Sequence, residues 1–152
     1  MSDCCSSQSS TPDTDSCCAS TSPRKRACPV DGTPSSEVKT STMLHHLKNA
    51  WSQPLQEQKY YFCDNPGCDV VYFGEDDSRF YLHDVRDQVG QKQSAPDKLL
   101  CYCFGVRQSD YLHNPEIKAF VVAQTKASTC ACDSRNPSGR CCLKDFPKLP
   151  KN

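Results

Sequence analysis

The chain has no run of about 18 apolar residues, the length a membrane-crossing helix needs, so no membrane insertion is expected. It has no net charge either. The 18 basic residues are balanced by 18 acidic ones, and no overall field draws the protein to nucleic acid or to an anionic surface. Apolar residues are only 36% of the 152, little from which to build a core. The opening stretch MSDCCSSQSSTPDTDSCCASTSP lacks a basic start and an apolar centre, so it does not read as a secretory leader. A cytoplasmic, reducing location is the expectation. The cysteines sit at ligand spacing from one another rather than beside histidine as nucleophile and base, which argues against hydrolytic catalysis. At most, an enzymatic reading leaves metal-ion reduction.

What the sequence has in abundance is cysteine, thirteen in all. Disulfides are rare in reducing compartments, and an odd number fits poorly with complete pairing. A chain with so little apolar content needs staples, and soft thiolates select zinc, Cu(I) or iron–sulfur centres.

Residues 1–26 are expected to form a disordered Cys/Ser-rich tail ending in the basic linker Pro-Arg-Lys-Arg, with the fold starting near Ala27. Met43, Leu44, Leu47 and Trp51 recur at helical spacing, which predicts a helix within 35–51, stopped by Pro54. Aromatic and β-branched residues flank Asn65-Pro66-Gly67 and predict a hairpin, continued by Arg79–Val85. Asp97–Val106 reads as an apolar strand opening into a loop. Asn114, Pro115 and Glu116 read as the cap, first position and first turn of a helix. Residues 144–152 read as a flexible C-terminal tail. The mixture is α+β: a small metal-stapled domain over 27–143, with short strands, one or two helices and cysteine-rich ligand loops.

After the tail, the cysteines fall into two groups. Cys63 and Cys68 bracket the Asp-Asn-Pro-Gly turn, which brings two thiolates to one point, as tetrahedral zinc requires. Cys28 opens a second turn, CPVDG, whose Asp31 stands where another thiol would complete the knuckle. Carboxylate is an acceptable zinc ligand, so Cys28, Asp31, Cys63 and Cys68 form the candidate site, with His83 the competing fourth ligand. The alternative is three buried free thiols and a strand histidine bonded to backbone. The second group is Cys101 and Cys103, then Cys130, Cys132, Cys141 and Cys142. A C-x-C pair, a helix and a second cysteine loop suit an iron–sulfur cluster held by four thiolates, with a second zinc site as the alternative.

The stretches CPVDG, YYFCDNPGCDVVYF, CYCFG and CDSRNPSGRCCL, in this order, resemble the N-terminal metal-binding domain of CopZ-type copper chaperones, over about Ala27–Leu143. The C-x-C-F piece is also similar to the cluster loops of bacterioferritin-associated ferredoxins. The resemblance implies one zinc ion and one [2Fe–2S] cluster in a compact α+β domain. Carried over by motif, the cluster ligands would be Cys101 and Cys103 with Cys132 and Cys142; Cys130 and Cys141 are the alternates. Zinc would fall to Cys28, Cys63, Cys68 and Asp31.

The family's copper-handing module, with its Met-x-Cys-x-x-Cys loop, is expected to be absent, because only KDFPKLPKN follows the last cysteine. A separate copper-binding domain or a copper-transporting ATPase would then be the partner. The tail pairs Cys4-Cys5 and Cys17-Cys18 are candidates for a soft ion such as Cu(I) or Hg(II). The functional expectation is iron–sulfur electron transfer linked to soft-metal handling. The alternatives are a ferredoxin-like carrier without cargo, and a zinc and thiol metal buffer with no cluster.

Overall fold

The computed structural model describes residues 24–150. The tail thiols Cys4, Cys5, Cys17 and Cys18 lie outside them. Five strands, β1 (Lys25–Ala27), β2 (Pro34–Val38), β3 (Tyr60–Phe62), β4 (Val70–Gly74) and β5 (Arg79–Tyr81), form one antiparallel sheet in sequence order. The hairpin around Asn65-Pro66-Gly67 is the β3–β4 pair, with Tyr60 opposite Gly74 and Phe62 opposite Tyr72. Its residues are aromatic and β-branched, which suits a sheet buried on both faces.

Both faces are indeed covered. Tyr60, Phe62, Val71 and Tyr72 face one way, onto Val38, Met43, Leu47 and Val85. Tyr61, Val70 and Phe73 face the other way, onto Cys28, Cys63 and Cys68. A register shift between Val70 and Tyr72 puts the adjacent residues Val71 and Tyr72 into the same core. Thiols therefore fill core positions on the second face.

The remainder is a smaller unit. Strands β6 (Leu99–Cys101) and β7 (Val106–Arg107) pair with each other. Helices α2 (Gln108–His113), α3 (Glu116–Lys126) and α4 (Cys132–Arg135) follow. Their shared core holds Leu100, Val106, Tyr111, Val121 and Phe146 together with Cys101, Cys132 and Cys142. α3 starts one residue later than anticipated, with Pro115 rather than Asn114 in the cap position, and Asn114 Oδ1 accepts the Glu116 amide at 3.2 Å.

Three expectations need correction. The helix within 35–51 is only α1 (Thr40–His46), because residues 34–38 pair with β3 as a strand that buries Ser35, Ser36 and Val38. Leu47 then turns extended to bridge Val85, and Asn49 takes a left-handed conformation. These two turns throw Trp51 out to 87% exposure. The supposed linker supplies β1, since Lys25 and Arg26 pair with Ser36 and Ser35. The supposed free tail packs down: Phe146 is buried with its ring edge-on to Tyr111 at 5.1 Å, and Leu149 lies against the same core.

Leu47→Ala should therefore cost about 2–5 kcal/mol, whereas Trp51→Ala should stay within about 0.5 kcal/mol. Thermal or denaturant unfolding of the two variants checks the contrast.

Candidate metal centres

The turn after Cys28 is closed by its own backbone. Cys28 N donates to Thr33 O at 2.9 Å and Gly32 N to Cys28 O at 2.8 Å, with Gly32 at φ +74°. That left-handed position is one glycine adopts freely. Asp31 is fixed by Thr33 N at 3.0 Å, Thr33 Oγ1 at 2.7 Å and Asn65 Nδ2 at 2.5 Å. The Thr33 hydroxyl, foremost among these donors, holds its carboxyl well below the usual range. In the second turn, Cys68 N donates to Asn65 O at 3.1 Å and Gly67 N to Asn65 Oδ1 at 2.9 Å. Asn65 thus shapes one knuckle and orients the carboxylate of the other.

The outcome is convergence. One ligand atom from each of Cys28, Asp31, Cys63 and Cys68 lies within 4.8 Å of all the others. Cys28 Sγ and Cys68 Sγ are 4.0 Å apart. A zinc ion with Zn–S bonds of about 2.3 Å would set its sulfurs about 3.8 Å apart. Three soft sulfurs and one hard oxygen at tetrahedral separations fit zinc. Burial is the largest influence on all three thiols and pushes each above the ordinary range, although the Lys92 charge pulls Cys63 the other way. His83 stays outside the group. Its ring is 78% exposed, stacks on Tyr81 and sits 3.5 Å from the Asp84 carboxylate.

The second set is arranged differently. Cys101 ends β6, and Cys103 sits in the turn that Gly105 closes at φ +67°. Cys103 Sγ lies 3.7 Å from Cys132 Sγ and accepts the Ala131 amide at 3.2 Å. The neighbouring Cys142 thiol draws the Cys101 pKa down to about 6. Cys142 keeps its proton, its pKa raised chiefly by that same contact, and burial pushes Cys132 up to about 12. Among the described residues these four do not close into a group within 4.8 Å. Cys103 is in sulfur contact with Cys132, and Cys142 lies beside both Cys101 and Cys132. Cys130 and Cys141 are half-buried, and neither has a sulfur–sulfur contact among the described residues.

Other residues carry no ligand and were not anticipated. Thr42 Oγ1 donates to Asp133 O, His46 Nε2 to Ser134 O at 2.9 Å, and Tyr72 OH to Pro137 O at 2.6 Å. These hold the Cys132 loop onto the first sheet. Tyr102, between Cys101 and Cys103, accepts the Gly90 amide at 2.6 Å. No local motif announces such partners, which are far apart in sequence.

Residues 25–86 match the model of the CopZ zinc-binding domain family, a span that contains Cys28, Asp31, Cys63 and Cys68. Over 126 residues the chain is 34% identical to the copper chaperone CopZ of Archaeoglobus fulgidus, covering 80% of this chain and 60% of that protein. The X-ray structure of the Archaeoglobus fulgidus CopZ N-terminal domain superposes with a TM-score of 0.64 at 32% identity, over 81% of this chain and 100% of that one. The chain belongs to the family of the CopZ N-terminal domain. Its α+β architecture and its capacity for zinc follow the CopZ pattern, and the match to the zinc-binding model stops before Cys101. Among the described residues, no helix of this CopZ-type chain is long and apolar enough to cross a membrane.

The raised thiol pKa values fix the sign of a pH effect. Metal-free, the folded chain holds protons on Cys28, Cys63 and Cys68 at neutral pH. Their contribution to stability is present below the ordinary thiol pKa and is lost as pH rises through the folded values. Zinc must expel these protons, so its affinity should climb with pH by up to about three orders of magnitude per unit near neutrality. Competition with a chelator at several pH values measures this slope.

Proposed function

We propose that the chain is a metal-handling module that keeps one structural zinc at Cys28, Asp31, Cys63 and Cys68 and a [2Fe–2S] cluster at Cys101, Cys103, Cys132 and Cys142. It would work in electron transfer that delivers a soft metal in its thiolate-binding oxidation state. The observation that carries this reading is the contrast between the two donor sets. One converges on a single point within 4.8 Å. The other is a spread set of four thiols, linked by the 3.7 Å contact of Cys103 with Cys132 and by Cys142 lying beside both Cys101 and Cys132, that does not meet at one point. A single tetrahedral ion suits the first arrangement; a centre with two irons suits the more extended second.

When bound, a [2Fe–2S] cluster supplies a one-electron couple, matched to the conversion of Cu(II) to Cu(I). The chain's own residues prepare the site. Cys101 offers a sulfur already drawn toward thiolate by Cys142. The Ala131 amide points at Cys103 Sγ, the kind of N–H···S bond that raises a centre's potential. Burial of Cys101, Cys132 and Cys142 restricts water. The copper named for the Archaeoglobus fulgidus relative makes Cu(I) the favoured cargo. A copper-binding domain or a copper-transporting ATPase is the fitting recipient, with Cys4, Cys5, Cys17 and Cys18 as a docking tail for the ion. Nine described cysteines carry free thiols, as a reducing, cytoplasmic setting would keep them.

Anaerobically purified or reconstituted protein should contain about two iron, two acid-labile sulfide and one zinc per chain, with visible charge-transfer bands. Serine at Cys101, Cys103, Cys132 or Cys142 should bleach or shift those bands, while serine at Cys130 or Cys141 should not. A colourless protein that keeps zinc after reconstitution would leave a zinc-stapled thiol module instead.

A further inference from the structure

Lys92 is the only lysine or arginine among the described buried residues, at 8% exposure. Its ammonium donates to Asn65 O at 2.8 Å and Cys68 O at 2.9 Å, the carbonyls that open and close the Asn65–Cys68 turn of the second knuckle. It makes no ion pair within 4.0 Å with a carboxylate among the described residues. A buried cation held only by neutral carbonyls is costly to desolvate and calls for a compensating negative charge nearby.

The backbone leading to Lys92 is constrained to put it there. It ends the short 3-10 turn Gly90–Lys92, where its own amide bonds to Val89 O at 2.9 Å. Any side chain at position 90 would overlap the Leu99 carbonyl, so the turn can press against β6 only with glycine. The Gly90 amide is fixed in turn by the Tyr102 hydroxyl at 2.6 Å. Nothing in this arrangement serves the second thiol set directly, since the ammonium itself points at the Cys63–Cys68 turn.

The donor set there supplies the missing charge. Three thiolates and the Asp31 carboxylate outweigh the double charge of a zinc ion, so the loaded site is a dianion. We propose that Lys92 is the built-in counter-cation of the Cys28, Asp31, Cys63 and Cys68 site, offsetting half of the negative charge of the metal-loaded state. The proposal rests on the zinc reading above. It makes Lys92 a positioning residue that binds no metal, yet lowers the electrostatic cost of gathering three buried thiolates beside the exposed Asp31 carboxylate. It also ties metal retention to a segment outside both knuckles, which no ligand motif would include.

The test uses full-length, zinc-loaded protein in competition with a chromophoric chelator. Lys92→Met keeps the stem and removes the charge; Lys92→Arg restores a charge and donors. Lys92→Met should bind zinc at least about tenfold more weakly, and Lys92→Arg should return to within about threefold of the parent. Lys92→Gln keeps a neutral donor and should fail like Lys92→Met, which covers the case in which the methionine variant does not fold. Cobalt(II) in place of zinc adds a readout of charge. The sulfur-to-cobalt charge-transfer band should move to longer wavelength in the uncharged variants, while tetrahedral d–d intensity persists. Parent-like zinc affinity in folded Lys92→Met or Lys92→Gln, an unmoved band, or equal losses in the methionine and arginine variants would overturn the counter-cation. Cys63→Ser and Asp31→Ala report separately on the ligand set: zinc retained by both would sink the four-ligand reading, and Lys92's role with it.

Discussion

The two halves of the molecule are joined through backbone carbonyls. Thr42 and His46 of α1 and Tyr72 of β4 donate to Asp133 O, Ser134 O and Pro137 O, three acceptors in one short loop. That loop carries Cys132 on a four-residue helix, far too short to be stable alone. Its geometry is therefore borrowed from the sheet beside it. Burial holds the His46 pKa below its usual value, keeping a neutral ring in place against the Ser134 carbonyl. A side chain at position 139 would press on Val38 and Thr42, and Asn136 folds the loop by accepting the Ser138 amide and hydroxyl. The placement of a thiol pair in the second unit depends on polar contacts made by the first.

Metal and fold are hard to separate in such a chain. The outer face of the sheet has six fully buried residues, and three of them are cysteines. Apolar burial of that size is a weak source of stability, and metal coordination there would act as part of the core. In the second unit, Cys101, Cys132 and Cys142 sit among Leu100, Val121 and Phe146 in the same way. A buried thiol in either core is a tolerable small hydrophobe when neutral and a costly anion when ionised without a cation. Filled sites would reverse that cost, so occupancy and folding would be linked in both halves.

The sequence was most legible where ligands are local. Pro and Gly at the turn positions of CPVDG and CDNPGC mark both knuckles, and the aromatic pattern around the second marks its hairpin. Asp31 was readable as a fourth candidate donor because its spacing from Cys28 mimics a knuckle cysteine. Residues 34–38 were not readable as a strand, because small Ser35 and Ser36 are buried only through pairing with distant partners. Phe146 could not be taken from a lysine-rich tail, since its burial depends on Tyr111 and the α3 side of the second core. Lys92 carries no local signature at all; its partners lie 24 and 27 positions away. The choice of Cys132 and Cys142 over their neighbours rests on resemblance alone.

X-ray absorption at the zinc and iron edges of one sample tests most directly the claim that this chain separates two metal chemistries. The account predicts zinc in a shell of three sulfurs and one oxygen, and iron in an all-sulfur shell with a short iron–iron vector. Zinc surrounded by four sulfurs, or iron without an iron neighbour, would contradict it.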